Sequence, residues 1–289
     1  GVVRHPMPYG DLVKQRVQRF AGEEDLVFHE ATIEEREEYE PHIENGSPVF
    51  AGVDYEGILR AAEDEADVVL WDGGNNDVSF YQADVYITVV DPHRPGHELL
   101  YYPGETNLRI ADVVVINKIR TAHPEAVAEV EANIQKVNPT AKIIHAASPI
   151  TVDDPSVLEG KKVLAVEDGP TLTHGGMKFG AGTLGAQNAG AAEIIDPRPF
   201  LVGEREGTFE TYPGLGPILP AMGYGDQQVA DLEATMRKAA EGGVEAVAIG
   251  TPIDLAHLIE IPMPHTRVRY DLEVVGEVTL EEVLAPVLP

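Results

Sequence analysis

Asp72 closes the apolar run Ala66-Asp67-Val68-Val69-Leu70-Trp71 and is followed by Gly73-Gly74-Asn75-Asn76-Asp77. A continuous apolar run suits a strand covered on both faces of a parallel sheet, and Gly-Gly-Asn-Asn forces the chain to turn. The carboxyl end of such a strand is where open α/β sheets place their ligands. A carboxylate there could act on Mg²⁺ and nucleotide phosphates, or simply cap a turn. Five further polar clusters follow predicted strands in the same way: Arg4-His5, the loop Asp91 to Glu98, Asn117-Lys118, Ser148, and Asp168 to His174. In a parallel sheet these points converge on one edge, so the six together predict a ligand cleft.

The chemistry available to each cluster differs. The loop Asp91-Pro92-His93-Arg94-Pro95-Gly96-His97-Glu98 is stiffened by two prolines. Arg94 there offers a forked donor set for phosphate oxygens, and His93 and His97 add donors and a route for protons. A metal held by His93 and His97 competes with that reading, but no third ligand is fixed by spacing. Asn117-Lys118 follows Val113-Val114-Val115-Ile116 and matches the start of the NKxD base-recognition motif, with Arg120 in place of its aspartate. This leaves guanine recognition open and a nucleotide site with other base contacts in play. Asp168 to Gly176 has the look of a phosphate cradle, with glycines freeing backbone N–H groups and Thr171 and Thr173 supplying hydroxyls. Glycine-rich loops of this kind are common, and the loop is a weak signal alone.

These clusters need a scaffold, and the pattern supplies one. Predicted strands at 84–90, 112–116 and 142–145 alternate with loops or helices, and helices are expected at 11–20, 32–40, 55–66 and 123–137. Strands alternating with helices argue for a mostly parallel α/β sheet. A polar passage at 151–160 carrying Pro155 marks a domain boundary, giving domains at 1–152 and 153–289. The second part repeats an α/β pattern, with strands at 161–166, 244–249 and 266–275 and helices at 180–192 and 227–240.

The chain has 289 residues with a formal net charge of −28 and no cysteine. The missing cysteine excludes disulfides, thiolate metal sites and cysteine nucleophiles. The summed field repels polyanions, so neither nucleic acid nor an anionic membrane is an expected partner. No apolar run approaches bilayer length, and the expectation is a soluble, cytoplasmic protein. The acids of 32–40 and 56–67 read as solvated helix faces. Forty-nine acids against 21 lysines and arginines, spread along the chain, suggest a high-salt, halophilic cytosol.

Taken as blocks, Arg4-His5-Pro6-Met7-Pro8-Tyr9-Gly10-Asp11, Thr32 to Ile43, Trp71-Asp72-Gly73-Gly74-Asn75-Asn76-Asp77, Asp91 to Glu98, Tyr102-Pro103-Gly104-Glu105-Thr106-Asn107 and Glu167 to Gly176 resemble the cyclic 2,3-diphosphoglycerate synthetase family. The resemblance runs over essentially the whole chain. It implies a P-loop NTPase-type core followed by a smaller α/β domain, and an archaeal-type, ATP-dependent ligase that closes 2,3-diphosphoglycerate into a cyclic phosphoanhydride. Family members carry an N-terminal domain and a Walker A loop, and no G-x-x-x-x-G-K-[ST] occurs here. The expectation is therefore a fragment of a longer protein, or a chain whose P-loop is supplied by another chain. ATP and Mg²⁺ are the expected cosubstrate and metal, with Asp72 on Mg²⁺ and Asp11 as a weaker second contact. From chemistry and position, Arg4, His5, His93, Arg94 and His97 would clamp a small phosphorylated substrate. Thr171, Thr173 and His174 would close the cleft, and Asn117 and Lys118 would face the nucleotide. A regulatory or metal-delivering GTPase-like switch, a catalytically inactive phosphate-binding module and a homo-oligomer remain the alternatives.

The charge reading gives a first prediction. Because salt screens repulsion among exposed like charges, the urea midpoint of unfolding should rise steadily as KCl is increased. A midpoint indifferent to KCl would remove the high-salt reading.

Overall fold

The computed structural model describes residues 1–5, 11–74, 77–168, 179–221, 226–253 and 255–289. The chain divides into two units, Gly1–Pro149 with Leu272–Pro289, and Ile150–Asp271. Strands are numbered β1 to β14 in chain order. Among the described residues, no helix is long and apolar enough to cross a membrane.

The first unit holds two four-stranded sheets. One consists, in spatial order, of β2 (Gln18–Phe20), β3 (Val49–Ala51), β1 (Val2–Arg4) and β4 (Leu70–Trp71). The other consists of β14 (Glu273–Val274), β7 (Lys142–Ala147), β6 (Val113–Ile116) and β5 (Ile87–Val90). β1 runs parallel to β3 and β4, and β6 runs parallel to β5 and β7. Among the described residues of this unit, only the outer strands β2 and β14 pair antiparallel. β6 is buried along its whole length, as the unbroken Val-Val-Val-Ile run predicts for a strand with both faces covered.

Helices cover these sheets with the expected amphipathic logic. The helix Pro124–Val137 turns Val130 and Ile134 into the core beside Leu108, Val114 and Ile116. At its end the buried Asn138 donates from Nδ2 to the carbonyls of Leu108 and Ala111, at 2.9 and 2.7 Å. The helix Ile33–Glu44 opens with a full capping box, Thr32 accepting from the Glu35 N–H and Glu35 answering on the Thr32 N–H. On the other side Phe80 stacks on Tyr55 with ring centroids 3.8 Å apart and meets Trp71 edge-on at 5.7 Å.

The second unit is one six-stranded sheet. Its path is β10 (Glu193–Ile194), β9 (Lys162–Asp168), β12 (Ala246–Gly250), β13 (His265–Tyr270) and β8 (Ile150–Val152), with β11 (Leu219–Ala221) also pairing β9. All these pairings are parallel except β13 with β8. The buried Glu167 at the end of β9 accepts from the N–H groups of Gly180, Gly182 and Thr183 and from the Thr183 hydroxyl, anchoring the start of the helix Ala181–Asn188.

Three expectations need correction. No helix spans 11–20. The segment turns and then forms β2, where Gln18 and Phe20 are buried and Arg19 is exposed, a period of two instead of 3.6. The predicted strand 266–275 breaks between Tyr270 and Glu273, and its two parts serve different units. The division at 152/153 differs as well. β8 belongs with the second unit, and residues 272–289 return to the first because β14 pairs β7 and Val283 packs on Val113 and Val115.

Asn138 carries a prediction. Asn138→Ala removes two hydrogen bonds to buried carbonyls and should lower unfolding free energy by about 1–3 kcal/mol, read by urea denaturation. The exposed pair of Arg120 with Glu273 provides the contrast, since Arg120→Ala should leave the midpoint unchanged.

Candidate functional site

β1 and β4 lie side by side, so their carboxyl ends bring Arg4 and Asp72 together. The Arg4 guanidinium bonds Asp72 Oδ2 through Nη1 and Glu38 Oε2 through Nη2, the latter at 2.6 Å. His42 reaches the same Asp72 oxygen at 3.0 Å. Glu38 and His42 stand one turn apart on the helix Ile33–Glu44, so a single helix face supplies both. Next along the chain His5 Nε2 lies 3.1 Å from Asp77 Oδ2, and that oxygen also accepts from the Gly74 N–H at 3.0 Å. Gly73 has to be glycine, because an added Cβ would sit 2.2 Å from the Trp71 indole.

Burial and neighbouring charge oppose each other at the carboxylates of this cluster. Burial alone would raise the Asp72 carboxyl, but the His42 bond and the Arg4 charge outweigh it and hold it below the usual carboxylate range. Burial pushes Glu38 up, with Arg4 pulling it down and Asp72 adding to the rise. The bonds from Arg4 and His42 both fall on Asp72 Oδ2, and among the described residues none reaches Oδ1. That open oxygen fits a water of a hydrated Mg²⁺, an ion that binds through one or two carboxylates and keeps several waters.

A second cluster forms at the ends of β5 and β6. Asp91 accepts from Lys118 Nζ at 2.9 Å, from Arg94 Nη2 at 3.3 Å and from the His93 N–H at 2.9 Å. Burial would raise Asp91, and the His93 N–H and the Lys118 contact turn the balance downward. Lys118 takes a left-handed backbone, φ 59°, while the Asn117 side chain accepts from the Lys118 N–H. Gly96, φ 88°, makes the turn that leads into His97–Leu100.

A cavity of about 1400 Å³ in the first unit is lined by Asp72, Gly73, Asp91, Arg94 and His97, so it unites two of the predicted clusters. Arg4 joins it indirectly through Asp72, and His5 through Asp77, which accepts from the lining residue Gly74. His93 is turned to Thr121 Oγ1, 2.9 Å away, and His97 packs its ring on Tyr101. Among the described residues, no group of three or more His, Cys, Asp or Glu could hold a metal ion. Asp11 accepts from the nearby Val13 N–H in an exposed turn. Thr171, Thr173 and His174 lie outside the described residues.

Glu38, His42 and Asp77 were not singled out by the sequence. Thr32 to Glu40 read as a solvated face, yet Glu38 is tied to Arg4. A usable signal was the i, i+4 spacing of Glu38 and His42.

Residues 44–147 match the family model described as cyclic 2,3-diphosphoglycerate synthetase, P-loop domain. Arginine synthetase ArcE of Thermococcus kodakarensis is 60% identical over 282 residues, 98% of this chain and 62% of that protein. Cyclic 2,3-diphosphoglycerate synthetase of Thermococcus sibiricus is 28% identical over 42% of this chain and 27% of that protein. The namesake enzyme of T. kodakarensis is 23% identical over 70% of this chain and 44% of that protein. The chain thus spans 62% of the first of these relatives and less than half of the other two. Among solved structures, LpxK from Aquifex aeolicus, an "apo" form in complex with ATP, superposes with a TM-score of 0.51 at 12% identity, covering 100% of this chain and 79% of that one. At that identity the likeness bears on the fold, which is α/β and P-loop NTPase-like.

The ion-pair cluster predicts a pH signature. The depressed Asp72 carboxyl contributes stability above the ordinary carboxylate range, and that contribution is lost as pH falls through its folded value. Asp72→Asn should therefore flatten the decline of the urea midpoint below about pH 4. An unchanged acid limb would remove this role.

Proposed function

With residues 44–147 assigned to the P-loop domain of the cyclic 2,3-diphosphoglycerate synthetase family, we propose that the chain is the greater part of an ATP-dependent synthetase whose product is arginine. The carrying observation is the 60% identity to arginine synthetase ArcE over 98% of the chain. The relatives named for the cyclic diphosphoglycerate product share less than half that identity over shorter spans.

The charge distribution supports the same choice. Two dianionic phosphates brought together need uncommitted positive charge. Here Arg4 is held between two carboxylates, Glu38 and Asp72, while Lys118 and Arg94 share the single carboxylate of Asp91. The cavity wall carries more carboxylates than cations, with Asp67, Asp72, Asp84 and Asp91 against Arg94, and suits a guanidinium-bearing substrate, for which carboxylates are matched acceptors. In this reading Asp72 orients a water of the nucleotide's Mg²⁺ through Oδ1, while Arg4 and His42 fix its orientation from Oδ2. The metal neutralises the phosphate oxygens when bound. Arg94 and His97, on the cavity wall, are placed to meet the nucleotide or the substrate.

A second reading keeps 2,3-diphosphoglycerate as substrate and its cyclic phosphoanhydride as product, and rests on the family match of residues 44–147. It assigns Arg4, His5, His93, Arg94 and His97 to the substrate phosphates.

Calorimetry separates the two. L-arginine should bind the chain measurably, and 2,3-diphosphoglycerate should not. Binding of 2,3-diphosphoglycerate without arginine, with a cyclic product seen by ³¹P NMR on adding MgATP, would transfer the assignment to the second reading.

A further inference from the structure

Asn45 is the one asparagine of the sequence followed by glycine. Gly46 has no side chain to obstruct its backbone nitrogen, which can attack the asparagine side-chain carbonyl, the chemistry of spontaneous deamidation. Both residues are exposed. They stand at the end of the helix Ile33–Glu44, three residues beyond His42.

The local geometry opposes that attack. Gly46 takes a left-handed backbone, φ 77°, and its N–H donates to the Ile43 carbonyl at 2.9 Å. The Ser47 N–H donates to the His42 carbonyl, also at 2.9 Å. The two bonds form a Schellman cap, which satisfies carbonyls that the last turn would otherwise leave open. Asn45 Nδ2 donates to the Pro41 carbonyl at 2.8 Å, so the side-chain amide is folded back along the helix. Closing a five-membered imide needs the Gly46 nitrogen eclipsed with Asn45 Cβ. At ψ 6° that nitrogen is eclipsed with the Asn45 backbone nitrogen instead. Ring closure therefore requires the Gly46 and Asn45 Nδ2 bonds to break and ψ to rotate, a local opening of the helix end.

The same cap supports the candidate site. The turn it closes carries His42, whose ring meets Asp72 Oδ2 at 3.0 Å, and Glu38, one turn earlier, holds Arg4. We propose that Asn45 is a modification site, a centre of spontaneous deamidation that this cap restrains and whose reaction withdraws His42 from Asp72. The Gly46 nitrogen bonds to Asn45 Cγ, and the bond from Cγ to Nδ2 breaks. Nδ2 leaves as ammonia, taking the proton that the Gly46 nitrogen gives up. Water then opens the imide at either carbonyl, giving aspartate or isoaspartate. Either product places a carboxylate at a helix C-terminus, where the helix dipole disfavours negative charge. Isoaspartate also adds a methylene to the main chain, which shifts Gly46 and Ser47 off the Ile43 and His42 carbonyls. Asn45, Gly46 and Ser47 lie outside the cavity lining, so the reaction is independent of which substrate the protein takes.

The test ages the chain in mildly alkaline buffer and maps it by peptide mass spectrometry, with enzymatic detection of isoaspartate. Asn45 should deamidate ahead of every other asparagine. Its rate should be about tenfold lower in the folded chain than in urea, as for a reaction that waits on local opening. Gly46→Asn supplies the control, since asparagine tolerates the left-handed cap position but presents a more hindered nitrogen. It should leave the fresh chain's urea midpoint within error and slow the reaction at Asn45. In the aged wild-type chain the His42 ring NMR signal should move from its fresh position and the urea midpoint should fall. In Gly46→Asn aged alongside it, both should stay. Equal rates in the folded and urea-unfolded chain, or another asparagine reacting first, overturn the proposal. So does a fully deamidated chain whose His42 signal has not moved.

Discussion

Arg4 is the interaction on which the first unit's functional end depends. Its guanidinium is mostly buried at the tip of β1, and a buried cation is tolerated only when carboxylates neutralise it. Glu38 and Asp72 do so from two other elements, a helix and β4. One side chain thus sets the spacing of three elements and the orientation of a carboxylate that lines the cavity. His42 then completes the arrangement by approaching the Asp72 oxygen that Arg4 already holds. The geometry at Asp72 is consequently over-determined, fixed from a strand and a helix at once.

The Asp91 cluster works by the same rule at the end of the neighbouring sheet. One half-buried carboxylate collects Lys118, Arg94 and a backbone N–H, and the left-handed backbone at Lys118 is held in place by the Asn117 side chain. Both clusters consume positive charge internally. Among the described residues, the wall of the cavity carries more carboxylates than cations, so the charge offered to a ligand is negative.

How much of this was readable beforehand follows from the physics of each element. The parallel core was legible because Val113 to Ile116 and Lys142 to Ala147 are apolar, short and followed by polar turns. Asp72, Asp91, Arg94 and His97 were legible as strand-end or loop residues, and the cavity gathers them. The short strand at Gln18–Phe20 was not, since three alternating residues beside a proline-rich loop carry too weak a period to separate from a helix. The Glu38 pairing was hidden because an acidic helix face looks solvated until its partner is known. The destination of Glu273–Val274 was hidden because register across so long a separation is set by tertiary packing and leaves no local mark.

That last strand also has a bearing on how the protein is made. Ile150 pairs with Tyr270, so the second unit leaves and re-enters the first at neighbouring points and closes on itself. During synthesis the segment Ile150–Asp271 emerges complete before Glu273 and Val283 do, and domains tend to fold as they emerge. The earlier unit must therefore wait, with the flank of β7 and the Val113–Val115 face uncovered, until the later one has been finished. The order of assembly is thus inverted relative to the order of the sequence.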